Sequence, residues 1–272
     1  MKALWVAIGL FVVNLLPCYA GDNQAYIDQA GGFSTLYILQ DGVGNSLAGL
    51  GGPAMTSNPA VIHGDGNNIN VQQVGSNDQL QIGIKSTSMP KPSVLPNCFL
   101  CPVTVQGNSW SYVVNGNNAV GIIDANSTGK EKSVSNGADI MQSGDNARVE
   151  LYVKGSYNTS TVNTSGNYET VIINQSNTNN SQSTTAYGGN NNTARVSQSG
   201  TNGVVLNNVN GTANTVTVAQ QDGGANGHNS LIDLSGNANT VTVTQSGLAG
   251  DSTVNLQIRG STNTFNVTSA TR

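Results

Sequence analysis

One pattern recurs along this chain: a glycine, a polar residue three positions on, apolar residues five and seven on, and glutamine nine on. Gly31, Ser34, Leu36, Ile38 and Gln40 fit it, as do Gly64, Asn67, Ile69, Val71 and Gln73. The sequence then gives Gly166, Glu169, Val171, Ile173 and Gln175, followed by Gly189, Asn192, Ala194, Val196 and Gln198. Two more copies are Gly211, Asn214, Val216, Val218, Gln220 and Gly236, Asn239, Val241, Val243, Gln245. A seventh, Gly260, Asn263, Phe265 and Val267, lacks the final glutamine. Another glycine often follows the glutamine two residues later, at Gly42, Gly75, Gly200 and Gly247, and weaker copies start at Gly144, Gly155 and Gly200. Internal repeats at fixed offsets constrain a chain to repeat architectures, in which each unit buries its apolar face only against its neighbours.

Within each copy apolar and polar residues alternate, which is the side-chain period of a strand. Each run is short and bounded by glycine and asparagine, residues that accept the positive φ of tight turns. Only 9% of residues are charged, against about 25% in an ordinary globular domain, with asparagine, serine, threonine, glycine and glutamine taking their place. Such a composition without fixed offsets would read as a disordered tract; the offsets argue for order. The expected fold is all-β, a β-solenoid of strand-turn-strand rungs, each of about 22 to 25 residues and stacked about 4.8 Å apart.

The asparagine and glutamine of the repeat share the parity of the apolar residues, so they point inward. A buried amide is costly unless paired, and stacking like amides rung on rung pairs them. Gln40, Gln73, Gln175, Gln198, Gln220 and Gln245, with Asn67, Asn192, Asn214 and Asn239, are therefore the candidate ladder residues. Thr215, Thr217, Thr240, Thr242 and Thr244 have the opposite parity and face solvent.

Residues 1–20 read as a cleavable signal peptide: Lys2, an apolar run from Ala3 to Leu16, Pro17, then Cys18 and Ala20 before Gly21. An uncleaved anchor and a lipoprotein built on Cys18 are the alternatives. The mature chain divides into N-terminal repeats over 21–83, an insertion over 84–110 and a main solenoid over 111–272. The insertion holds Pro90, Pro92, Pro96 and Pro102, and no proline follows; proline removes a ladder donor and is excluded from central strands. The insertion is read as a tolerated surface excursion, a partner contact or a break in the stack. It also carries Cys98 and Cys101, a spacing that outside the cytosol suits a short disulfide, with metal or redox work as alternatives. The stretch from Val43 to Val61, with Pro53 and Pro59, is read as a smaller excursion.

The motif Gln-x-Gly-x-x-Asn-x-Ala-x-x-x-Gln resembles the curlin repeat of curli fibre subunits. The copy at Gly189, Asn192, Ala194 and Gln198 matches it from its glycine onward; other copies place valine, isoleucine or leucine where that family often has alanine. The resemblance covers most of 21–83 and 137–270. It implies a secreted subunit that polymerises into extracellular amyloid fibres in a biofilm matrix. It also implies partners: further copies of the chain, a nucleator or co-subunit of the family, an outer-membrane exporter and periplasmic chaperones. The chain is longer than a typical curli subunit, its repeats vary in length and it carries the insertion.

Net charge is −4 and the ten basic residues are scattered, which argues against nucleic acid as a partner. No nucleophile elbow, zinc-protease helix or phosphate-binding glycine loop occurs, so neither enzymatic activity nor a cofactor is expected. Asp139, Asp145 and Glu150 are the most closely spaced acids and would have to converge for a β-helix polysaccharide-active enzyme. A monomeric, capped solenoid used as a surface adhesin is the other alternative. Nothing after Gly260 reads as a cap, and the ends of an uncapped stack would offer unpaired backbone groups to another subunit.

Overall fold

The computed structural model describes residues 22–30, 35–63, 67–85, 109–126, 136–155, 157–179, 182–201, 203–222, 227–247 and 250–271. The expected leader over 1–20, and both Cys98 and Cys101, lie outside the described residues. Alternation of apolar and polar residues builds a strand wherever the repeat occurs. Numbered along the chain, the strands begin with β1 (Gln24–Ala25), β2 (Ile27–Ala30), β3 (Thr35–Val43), β4 (Ser46–Ala48), β5 (Ala60–His63), β6 (Asn68–Ser76) and β7 (Gln79–Lys85). Next are β8 (Ser109–Asn115), β9 (Val120–Asn126), β10 (Gly137–Ser143), β11 (Arg148–Gly155), β12 (Thr159–Ser165), β13 (Thr170–Asn179) and β14 (Gln182–Gly188). The series closes with β15 (Thr193–Thr201), β16 (Val204–Asn210), β17 (Thr215–Gln221), β18 (Asn229–Ser235), β19 (Thr240–Ser246), β20 (Thr253–Arg259) and β21 (Thr264–Ala270).

These strands form two parallel sheets that the chain visits alternately. Sheet I runs β1-β4-β7-β9-β11-β13-β15-β17-β19-β21, with β2 and β5 continuing the layers of β1 and β4. Sheet II runs β3-β6-β8-β10-β12-β14-β16-β18-β20. Successive rungs pair in register: Val216 lies beside Ala194 and Val241, and Val205 beside Ser183 and Ser230. The result is the expected all-β solenoid. Its core is a stack of inward side chains such as Val71, Ile140, Leu151, Val171, Val218, Ile232 and Val243, each fully buried between the sheets. Burying each such side chain stabilises the stack by about 1.5–3 kcal/mol. Thr215, Thr217, Thr240, Thr242 and Thr244 face outward as their parity requires.

The two edges of the ribbon obey different rules. Every return from sheet II to sheet I uses the same four-residue frame, starting at Gly42, Gly75, Gly116, Gly144, Gly166, Gly189, Gly211, Gly236 and Gly260. The third residue of each frame is left-handed, from Gly44 (φ 72°) through Asn118 (φ 55°), Asn191 (φ 56°) and Ala213 (φ 58°) to Thr262 (φ 60°). Passage from sheet I to sheet II varies from two residues between β15 and β16 to the long segment between β7 and β8. The insertion therefore sits on the permissive edge. The sheets continue on either side of it, because β6 pairs β8 and β7 pairs β9. The smaller excursion spans residues 49–59 inside one layer of sheet I, where Asn58 closes it by donating to Gly49 O (3.1 Å) and Pro53 O (3.2 Å).

The glycine of the frame has a steric cause. At Gly211 (φ 135°) a Cβ would stand 1.9 Å from Gly236 O, and at Gly236 (φ 139°) 1.7 Å from Gly260 O. A side chain here meets backbone that cannot move without opening the stack. Gly211→Ala should therefore destabilise the fold by about 3 kcal/mol or more. Gly51→Ala, at φ 76° with open space around it, should cost only the conformational strain, about 1–2 kcal/mol. Urea unfolding of both variants checks this, and equal losses would mean that the contact along the glycine column does not matter.

Candidate functional site

Side-chain parity carries the repeat glutamines into the interior, where they form two columns on opposite walls. In sheet I Gln175 Nε2 donates to Gln198 Oε1 (3.1 Å), Gln198 to Gln220 (3.0 Å) and Gln220 to Gln245 (2.9 Å). All four are buried. Gln245 Nε2 passes the series on to Ser252 O (2.8 Å) and Ser252 Oγ (3.1 Å), and Ser160 Oγ donates to Gln175 Oε1 (2.6 Å). In sheet II Gln40 Nε2 donates to Gln73 Oε1 (2.7 Å). The sequence pattern predicts that the ten candidate ladder amides stack rung on rung with their own kind. The structure brings Gln175, Gln198, Gln220 and Gln245 together, but places Gln40 and Gln73 across the core from them. Between the two columns the equivalent sites are mostly apolar: Val114 follows Gln73 in sheet II, while Ile84, Ala125 and Val153 precede Gln175 in sheet I. Gln142, where sheet II returns to an amide, accepts from Tyr112 Oη at 2.8 Å.

The asparagines form a third column, at the last position of the glycine frame. Asn192 Oδ1 accepts from Asn214 N (3.0 Å) and Nδ2 (3.1 Å), Asn214 Oδ1 from Asn239 N and Nδ2, and Asn239 Oδ1 from Asn263 N and Nδ2. Each Nδ2 also reaches a carbonyl of the next frame: Asn192 to Gly211 O, Asn214 to Gly236 O and Asn239 to Gly260 O. One amide thus ties its own turn to the next at two points and satisfies buried backbone that would otherwise lack partners. Towards the N-terminal end the column continues through Asn45 and Asn23, with Asn45 N donating to Asn23 Oδ1 (2.9 Å). Asn67 belongs elsewhere. It is buried at the opposite edge, directly before β6. An unpredicted fourth column lies outside, on the second residue of the frame. Asn117 Oδ1 accepts from Ser76 N, Asp145 Oδ1 from Asn117 N, Asn167 Oδ1 from Asp145 N and Asn190 Oδ1 from Asn167 N. Its sequence signal is asparagine or aspartate directly after the frame glycine.

Two members of the inner asparagine column are acids. Asp78 N donates to Asn45 Oδ1, and Ala119 N to Asp78 Oδ1 (2.9 Å). Burial pushes Asp78 up to about 6, against the Ala119 N–H and with help from Asp145. Glu169 is fully buried, and Asn192 Nδ2 donates to its Oε1 (3.2 Å) while Oε2 has no partner. Burial raises Glu169 to about 7, although Asn192 opposes the shift. A neutral acid here resembles an amide, which is why an acid can stand in the column.

Asp139 and Glu150 lie on different sheets, in β10 and β11, and Asp145 lies in the turn between them. The structure does not bring these three acids to one face. The buried pair His228 and Ser252 is committed to a turn: His228 Nδ1 accepts from Ser252 N (3.2 Å), so its Nε2–H faces Gln221 O (3.3 Å). No family model, no curated protein and no solved structure matches this chain.

The buried acids give stability a pH dependence with a defined sign. Their folded pKa values stand above the ordinary 3.8 and 4.5, so the folded state holds these protons more tightly than the unfolded chain. That contribution is complete below about pH 4 and is lost as pH rises through about 6 for Asp78 and about 7 for Glu169. Glu169→Gln should raise stability at pH 8 by about 1–3 kcal/mol and flatten the profile between pH 4.5 and 8. Urea midpoints across that range measure it; a variant with the wild-type slope would remove Glu169 from the account.

Proposed function

We propose that this chain is a secreted structural subunit that assembles end to end into curli-like amyloid fibres of an extracellular matrix. One observation carries the reading. Among the described residues the apolar core is sealed along its length but open at both ends: Ile27 and Ile38 at one end, and Leu256 and Val267 at the other, are the half-buried residues packed against it. Their counterparts one rung inward, Ile232 beside Leu256 and Val243 beside Val267, are fully buried. Among the described residues β3 and β20 pair on one side only, as do β1, β2 and β21. Covering those ends with a second copy would bury the remaining apolar surface and extend both sheets. The low charge supports the same reading, because charged edge residues are a common defence against such pairing. Secretion through a leader at 1–20, export by an outer-membrane machinery, periplasmic chaperones and a nucleating co-subunit are parts of this proposal that rest on the curlin-like repeat.

Electron microscopy of the purified chain over time, with an amyloid dye in parallel, tests the proposal. Fibres should grow at low micromolar concentration, with diffraction showing the ~4.8 Å repeat of strands stacked along the fibre axis. Leu256→Lys combined with Val267→Lys should leave strand circular dichroism unchanged and reduce elongation by about a hundredfold or more, since each buried lysine would lack a partner. A wild-type chain that stays folded and monomeric under these conditions sinks the reading.

A further inference from the structure

The two sheets contain different numbers of layers. In sheet I β1 and β2 share one layer and β4 and β5 another, so its twelve strands make ten layers; sheet II has nine strands and nine layers. Along a fibre both sheets must repeat over the same axial distance. Stacking intact copies would therefore leave sheet II short by one layer, about 4.8 Å, at every junction. That gap would strand backbone N–H and C=O groups and expose the core. Resting on the fibre reading above, we infer that β21 of one copy displaces β1–β2 of the next and takes their place against β4–β5.

The chemistry at the two ends favours this exchange. Asn23 heads the asparagine column: its Oδ1 accepts Asn45 N (2.9 Å) and its Nδ2 donates to Gly42 O (3.0 Å). Asn263 ends the same column and is attached to Asn239 in the manner in which each asparagine there is attached to its predecessor. One step further along the axis its Oδ1 and Nδ2 address Asn45 N and Gly42 O of the next copy, the same two groups that Asn23 serves. In that register Val267 takes the place of Ile27 over Ala60, and Phe265 the place of Ala25 over Leu47.

The contest is uneven. β21 is unbroken, and all seven of its residues are in register with β19. The N-terminal layer pairs through six strand residues, two in β1 and four in β2, divided between β4 and β5, with Tyr26 between them donating to Leu47 O and accepting from Ala60 N. With β1–β2 displaced, each sheet contributes nine layers per subunit and Leu256 meets Ile38 across the junction.

Cross-linking distinguishes the two junctions. In the chain carrying Cys18→Ser, Cys98→Ser and Cys101→Ser, one protein receives Thr264→Cys and a second receives Ser46→Cys or Gln24→Cys. All three positions face outward, and Gln24 and Ser46 are themselves register partners. Parallel neighbours in a sheet are close enough for a disulfide. Mixed fibres oxidised mildly should give a disulfide dimer from Thr264→Cys with Ser46→Cys, at least about tenfold above Thr264→Cys with Gln24→Cys and above each protein alone. Cross-linking through Gln24→Cys instead would show that both end strands stay in place, and overturn the displacement. Fibres that link through neither would overturn it too, while leaving end-to-end assembly standing. Absence of fibres in the unsubstituted chain would remove the assembly itself.

Discussion

The buried amides of the asparagine and glutamine columns are satisfied by their counterparts one rung away. A globular core closes on itself; among the described residues this one closes only sideways, between two sheets, and stays open along its axis. The inner asparagines show the consequence most clearly. Each Oδ1 serves the next rung's N–H, and each Nδ2 the next frame's carbonyl, so no rung satisfies itself. An arrangement in which every unit depends on the following one has no internal reason to stop.

The difference between the two edges follows from the same dependence. On the return edge nine frames stack with glycine on glycine, and a single added residue would shift the asparagine column out of line. On the other edge the connecting segments differ in length from rung to rung. Segments from two residues to the proline- and cysteine-bearing insertion are accepted there while β6 still meets β8 and β7 meets β9. Apart from the 49–59 excursion within sheet I and a register shift between β13 and β15, variation among the described residues is confined to one side of the ribbon, and the return edge remains regular.

This asymmetry also explains what could be read from the sequence. Alternation and the glycine offsets were enough to give strands, inward amides and outward threonines, because side-chain parity is local. The column to which an amide belongs is not local. The frame glycine followed by a polar residue three positions on looks alike at both edges, so the copies at Gly31 and Gly64 align with those at Gly189 and Gly211. Yet seven strand-to-strand steps separate β6 from β13. An odd number of steps moves the pattern to the other sheet, and the insertion hides the count. Gln40 and Gln73 consequently lie across the core from Gln175 and its successors, and Asn67 lies at the edge opposite Asn192. Glu169 was visible only as a departure from asparagine; its near-neutral titration required the burial that the stack provides.

The scarcity of charge is a further product of the stack. A residue on a face of the ribbon has neighbours about 4.8 Å away on both sides in its own column, so identical charges repeated from rung to rung would meet repulsion of about 1 kcal/mol per pair even in water. The charges that remain follow this rule. Asp233 is held below the usual carboxylate range by Arg259 on the adjacent strand, helped by Gln257 and Asn208. Arg148 lies beside Glu150 in its own strand, with Tyr152 donating to the same carboxylate. A repeat copied along an axis multiplies any charge that it contains, whereas an amide or a hydroxyl is multiplied into a column of hydrogen bonds. Asparagine, glutamine and threonine can therefore be repeated in register without electrostatic cost. An end that presents amides and apolar side chains in place of like charges also meets no repulsion from the matching end of another copy.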